Sequence, residues 1–151
     1  MTLSDFLGEW NDPSPTLLVH TSGSTGTPKP MWVEKAKMLN SARITCDFLG
    51  LHSGDTALLC MPLDYIAGKM VVVRALERNL RLIDVKPCGH PLADAVYPRD
   101  EAAPVFAAMV PMQVFNSLQV PQERQRLRQI RHLIIGGGAV DAAMAQALAD
   151  F

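Results

Sequence analysis

With 151 residues, 48% of them apolar and 19% charged, the chain has the length of about one domain and enough apolar surface for a real core, which excludes intrinsic disorder. Fourteen Lys and Arg against fifteen Asp and Glu leave a formal charge of −1, so no global field recruits nucleic acid or an anionic membrane, and neither is expected as a partner. Apolar stretches such as residues 105–110 fall far short of the roughly 18 residues a membrane-spanning helix needs.

Short apolar runs alternate with helix-compatible stretches, the pattern of β-α-β units, and predict an α/β fold with a largely parallel sheet flanked by helices. Residues 1–6 carry no basic group and no long apolar region, so no secretory signal is read there and a cytoplasmic location is expected. A first strand is predicted over 16–20, then a Ser/Thr/Gly/Pro loop over 21–30 and a short extended piece over 31–33. Residues 34–51 read as a helix, with Ala36, Leu39, Ile44, Phe48 and Leu51 near helical spacing. A strand over 56–61 is broken by Pro62; a helix over 67–78 opens at Gly68 and ends near Asn79; a third strand covers 81–85. Residues 86–100 have no period and read as loop. A fourth strand is predicted over 103–110, a helix over 112–118 with Pro111 in its first turn, and a polar helix over 122–129. In the last of these Arg124, Arg126 and Arg128, with Arg131 beyond, form a solvated face, while Leu127 and Ile130 point inward. The strand 132–135 runs into Gly136-Gly137-Gly138, and Asp141 caps an Ala-rich helix reaching Phe151.

Three cysteines, Cys46, Cys60 and Cys88, contain no C-x-x-C pair and are odd in number, which fits reduced thiols and no disulfide framework. Cys88-Gly89-His90 offers two soft ligands without a second pair, so no structural metal is expected.

The richest chemistry lies in His20-Thr21-Ser22-Gly23-Ser24-Thr25-Gly26-Thr27-Pro28-Lys29-Pro30. Glycines let backbone N–H groups approach an anion, hydroxyls donate hydrogen bonds and one lysine supplies a point charge, the components of a polyphosphate cradle. The spacing is neither G-x-x-x-x-G-K-[ST] nor G-x-S-x-G. On composition alone a flexible Ser/Thr/Gly linker is an equal reading. His20 is equally a stacking group or an inert strand-end residue.

The run T-S-G-S-T-G-T-P-K at Thr21 to Lys29 resembles the phosphate-loop signature of the adenylate-forming enzymes, which comprise acyl-CoA synthetases, adenylation domains and luciferases. That resemblance implies that Thr21, Ser22, Gly23, Ser24, Thr25, Gly26 and Lys29 bind the ATP phosphates, with Lys29 catalytic. Pro30 replaces the family's last glycine and stiffens the exit. The stretch Leu59-Cys60-Met61-Pro62-Leu63-Asp64-Tyr65-Ile66-Ala67-Gly68 resembles the family's P-L-[FY]-H-x-x-G motif, which lines the acyl pocket. It implies Tyr65, Gly68 and Lys69 as acyl-substrate residues, although Tyr65 stands where histidine is typical and a phenol is no neutral-pH base. This region is most similar to the o-succinylbenzoate–CoA ligases of menaquinone biosynthesis. Lys69 or Arg74 would meet the second carboxylate of such an acid, but for either alone an ordinary surface charge is the favoured reading. Leu133 to Asp141 resembles the segment that packs on adenine, implying Gly136, Gly137, Gly138 and Ala139 there. A dinucleotide fingerprint fails because Asp141 occupies the position of its last glycine, while a tight ligand-free turn stays open.

The resemblance implies part of the large N-terminal, ATP- and acyl-binding domain over residues 1–151, without the small C-terminal domain. The family's Tyr-Gly-x-Thr-Glu motif is missing, because Tyr65 and Tyr97 precede Ile66 and Pro98. It further implies ATP-dependent activation of a carboxylic acid to an acyl-adenylate and then an acyl-CoA, with coenzyme A as co-substrate and Mg2+ held by ligands outside this chain. The isolated chain is expected to be inactive, and to self-associate through apolar surface that later elements would cover. The alternatives are another acyl- or aryl-CoA synthetase or adenylation domain, and a non-catalytic nucleotide-binding or interaction module.

Overall fold

The computed structural model describes residues 1–21, 27–149 and 151. Its length suggests one folded unit, but the chain divides into two compact units, Met1–Asp55 with Pro62–Leu82 and Thr56–Met61 with Ile83–Phe151.

The first unit opens with helix α1 (Leu3–Asn11), which the periodicity reading missed. Its start is fixed by a capping box: the Thr2 hydroxyl accepts from the Asp5 N–H at 3.1 Å, and the Asp5 carboxylate accepts from the Thr2 N–H at 3.0 Å. The same Thr2 N–H holds the Asp5 carboxyl below its ordinary range. Strands β1 (Thr16–Thr21) and β2 (Lys29–Glu34) pair antiparallel, in register from Thr16 opposite Glu34 to Thr21 opposite Lys29. The predicted loop is therefore shorter than 21–30, because Thr21, Lys29 and Pro30 belong to strands. Pro30 has no N–H to give, which a two-stranded sheet, all edge, tolerates.

Helix α2 (Lys35–Leu49) buries Met38, Ala42 and Cys46, one residue every four. The expected apolar positions lie elsewhere: Leu39 and Ile44 are exposed and Phe48 is 87% exposed. Small residues at the contact let α2 approach helix α3 (Ile66–Arg78) closely, and the Cys46 thiol reaches the Arg74 carbonyl at 3.8 Å. Arg78 then ties the helix ends together, donating to the Leu51 carbonyl at 3.0 Å and to Asp47 at 2.6 Å. Asn79 closes α3 in the left-handed region at φ 55°, a conformation its short polar side chain accommodates.

The second unit carries β3 (Thr56–Leu59), β5 (Phe106–Met109) and β6 (His132–Ile135) of a four-stranded sheet in the order β4-β3-β5-β6, whose β4 (Arg81–Asp84) is divided between the units after Leu82. Strand β5 runs parallel to both β3 and β6, so the parallel sheet read from the alternation of runs is the one that forms. β5 is buried along its whole length, which its uninterrupted apolar sequence dictates. Helices α4 (Pro111–Leu118) and α5 (Pro121–Gln129) make the crossover from β5 to β6, each opened by a proline whose missing N–H costs a first turn nothing. Leu127 and Ile130 face the core with Leu58, Met109 and Tyr97.

Arg126 departs from the solvated face predicted for it. Its guanidinium lies 4.8 Å from the Tyr97 ring and donates to the Leu92 carbonyl at 2.7 Å. Helix α6 (Ala142–Leu148) is capped by Asp141, whose carboxylate accepts from the Met144 N–H at 2.7 Å, but it ends at Leu148 rather than at Phe151. Among the described residues no helix is long and apolar enough to cross a membrane.

Candidate functional site

The hairpin β1–β2 holds the ends of the phosphate-loop sequence. Ser22, Gly23, Ser24, Thr25 and Gly26 lie outside the described residues. Thr21 and Lys29 flank them as register partners, Thr21 half-buried and Lys29 exposed. Strand alternation sends Leu17 and Val19 into the interior and leaves Leu18 and His20 on the opposite face.

That second face forms one wall of a cleft of about 330 Å3, lined also by Met1, Glu9, Pro28, Asp64, Tyr65 and Lys69. Two of the three acyl-substrate candidates thus meet the flank of the phosphate loop within one unit. Tyr65 is half-buried and occupies the N-cap position of α3 in extended conformation. Gly68, the third candidate, is buried in the first turn of α3 beside Lys69.

Lys69 contradicts the surface-charge reading. It is 2% exposed, with its ammonium 5.1 Å from the centre of the Phe6 ring, 3.3 Å from the Met1 Sδ and 3.9 Å from a Glu9 carboxylate oxygen. Burial pushes its pKa down, and the Glu9 and Asp64 carboxylates pull part of the way back. Asp64 is itself engaged at 3.4 Å by the Met1 amino group. Helix α1, which supplies Phe6 and Glu9, is therefore part of the site together with Met1 ahead of it, and the signal that would have found the helix is T-x-x-D at residues 2–5. Arg74 is no plain surface charge either: it is half-buried, and desolvation depresses its pKa.

The glycine segment belongs to the second unit. The Gly136 N–H continues the ladder by donating to the Met109 carbonyl at 3.1 Å. Gly137 has φ 81°, a conformation that side chains rarely adopt, and a Cβ on Gly138 would stand 3.3 Å from the Pro111 ring. Gly137 is required by the turn that follows β6, and a side chain at Gly138 would crowd Pro111. Gly137, Gly138 and Ala139 are exposed and Gly136 is half-buried, so a face of bare backbone is open to solvent.

Cys88-Gly89-His90 is fastened by packing. The Cys88 and Gly89 carbonyls accept from Gln113 and Asn116 at 3.0 and 2.9 Å, and His90 Nδ1 lies 2.9 Å from the buried Glu123 carboxylate. Sequence reasoning did not single out Gln113. Its amide also donates to the Cys60 carbonyl at 3.0 Å and accepts from the Val110 N–H at 3.1 Å, anchoring the end of the strand that leads into the acyl motif. Burial pushes the neighbouring Cys60 thiol up to about 12.

A family model described as "AMP-binding enzyme" matches residues 7–151. Among curated proteins the chain is similar to a 2-succinylbenzoate–CoA ligase of Enterococcus faecalis, 30% identical over 82% of this chain and 25% of that protein. It is also similar to one of Haemophilus influenzae, 26% identical over 87% and 28%. Among solved structures, an acyl-CoA synthetase (AMP-forming)/AMP-acid ligase II-like protein from Dyadobacter fermentans superposes with a TM-score of 0.85 at 36% identity, over 97% of this chain and 41% of that one. An o-succinylbenzoate coenzyme A synthetase from Bacillus subtilis, in complex with AMP, shares the fold at a TM-score of 0.68 and 20% identity, over 88% and 33%. The chain spans about a quarter of the length of the two curated relatives. With the family model matched over nearly the whole sequence, the chain belongs to the AMP-binding enzymes and carries the α/β fold of the N-terminal domain of adenylate-forming proteins.

Proposed function

We propose that this chain supplies the phosphate- and acid-binding part of an ATP-dependent, AMP-forming acid–CoA ligase, acting on 2-succinylbenzoate in cytoplasmic menaquinone biosynthesis. The observation that carries this reading is the family match over residues 7–151, with the hydroxyl- and glycine-rich signature set between the paired residues Thr21 and Lys29. In the reaction, the substrate carboxylate attacks the α-phosphorus of ATP and expels pyrophosphate, and the thiol of coenzyme A then displaces AMP from the acyl-adenylate. Lys29 is the catalytic cation: with Thr21 and the residues between them, it stabilises the charge growing on the departing pyrophosphate. Gly136, Gly137, Gly138 and Ala139 give the adenine a backbone surface to lie on. Tyr65, Gly68 and Lys69 receive the acid. Magnesium enters with ATP as part of the substrate. Among the described residues no group of three or more His, Cys, Asp or Glu gathers to hold it, and its ligands are assigned in this reading to residues outside this chain. Exposed Trp32, Ile44 and Phe48 support self-association as a further part of this reading.

The test is ATP–pyrophosphate exchange in a chimera in which these 151 residues replace the matching portion of the Dyadobacter protein. Exchange dependent on 2-succinylbenzoate is expected, and Lys29→Ala should reduce it by about 10²–10³-fold, the scale of losing one transition-state donor. Exchange unchanged by Lys29→Ala would refute the phosphate-loop assignment. Tyr65 in place of the usual histidine, with the higher identity to the Dyadobacter acyl-CoA synthetase-like protein, favours a second reading in which another acid is the substrate; exchange supported by other acids but not by 2-succinylbenzoate selects it.

A further inference from the structure

We infer that Glu9 is the resting counter-ion of Lys69, and that the cleft accepts acids bearing a second anionic group, which takes the place of Glu9 at the Lys69 ammonium. This deepens the acid–CoA ligase reading and rests on it for the nature of the reacting group.

The Lys69 ammonium is poorly satisfied. A lysine head carries three strong donors. Among the described residues Lys69 is offered the Met1 thioether, a weak acceptor at 3.3 Å, and the Glu9 carboxylate at 3.9 Å, beyond hydrogen-bond distance. A buried cation left in that state gains from any carboxylate oxygen that can approach to about 2.8 Å. Glu9 is badly placed to be that oxygen permanently. Its side chain is 46% exposed, and exposed partners of ion pairs contribute little because water competes for them. Withdrawal of Glu9 into solvent therefore costs little, while leaving Lys69 unpaired costs much.

The other nearby acid is less available for exchange, since Asp64 faces the Met1 amino group. The walls of the cleft combine the apolar Leu18 and Pro28 with the Tyr65 and His20 rings. Its volume of about 330 Å3 lies at the small end of ligand pockets. The chemistry that fits is a compact, flat or apolar body with one carboxylate for adenylation and a second anionic group for Lys69. Glu9 then acts as an internal competitor, disfavouring acids that bring no second charge to displace it.

The experiment needs no nucleotide and uses the 151-residue chain, titrated with benzoate, as the probe of the anionic group that meets Lys69, and with neutral benzamide at matched ionic strength, followed by 1H–15N NMR. Benzoate should shift Glu9, Tyr65 and Lys69 and bind about tenfold more tightly than benzamide, as a charge-assisted pair allows. Glu9→Gln should tighten benzoate several-fold and leave benzamide unchanged. Lys69→Met should abolish the preference. Should Lys69→Met fail to fold, Glu9→Gln, at an exposed side chain, decides the matter alone. Equal affinities in the wild type, shifts confined to other regions, no shift with either compound, or weaker benzoate binding in Glu9→Gln would each overturn the proposal. Because ATP is absent, these outcomes are separate from a failure of Lys29-dependent exchange.

Discussion

Strands β5 and β2 show how differently the two units use their residues. β5, in the second unit, is buried at every position from Phe106 to Met109. β2, in the first, exposes five of its six residues and buries none completely. In the second unit the Gln113 amide is held by Val110, Cys60 and Cys88, while the buried Ser117 Oγ has no hydrogen-bond partner among the described residues. The unit with the open hairpin places a lysine ammonium in its interior with a distant, exposed partner. A fully buried apolar strand and an open hairpin are thus found in different units, and the buried cation with an exposed partner lies in the unit of the hairpin.

The sharpest way to break this contrast is truncation on each side of it. Met109→Ala, at a fully buried position, should lower unfolding free energy by about 2–5 kcal/mol, whereas Trp32→Ala on exposed β2 should change it by only about 0.5 kcal/mol. Urea denaturation reads both, and equal losses would erase the distinction between the units.

A smaller effect follows from Lys69. Its folded pKa is lowered from 10.5, chiefly by burial. Between that lowered value and 10.5 the unfolded chain binds more protons than the folded one, so stability rises with pH across this window. The wild type should therefore gain on Lys69→Met as alkaline pH rises toward 10.5, measured by denaturant melts at stepped pH. A difference that falls with pH would mean that Glu9 dominates over burial.

The least perturbing probe is the thiols. Cys60, buried and pushed up to about 12, and Cys46, buried and also raised, should resist iodoacetamide at mildly alkaline pH, while half-buried Cys88 alkylates first, as peptide mass spectrometry would show.

Much of the second unit could be read from residue order, because its signals are local. The apolar strand 132–135 stops at three glycines, Asp141 caps the next helix, and Pro111 opens another. In the first unit β1, α2 and α3 lie within two residues of their expected bounds, but the faces they bury and helix α1 were not legible, for physical reasons. In α2 the bulkier residues suggested the inward face, yet the helix buries Met38, Ala42 and Cys46, and Cys46 meets α3 at the Arg74 carbonyl. The position of Lys69 could be read as part of the acyl motif, but its burial could not, since charged residues are rarely buried and the groups that enclose it come from α1, some sixty residues earlier in sequence. α1 is short, and a two-residue cap is its clearest mark.

The pairing of Thr21 with Lys29 bears on how this fold can be re-engineered. Six consecutive register pairs, from Thr16 opposite Glu34 onward, set the span that any connection between β1 and β2 must bridge. Because loop length and register are coupled in a hairpin, a donor loop that keeps the seven positions between Thr21 and Lys29 meets the existing alignment, whereas one of another length competes with it.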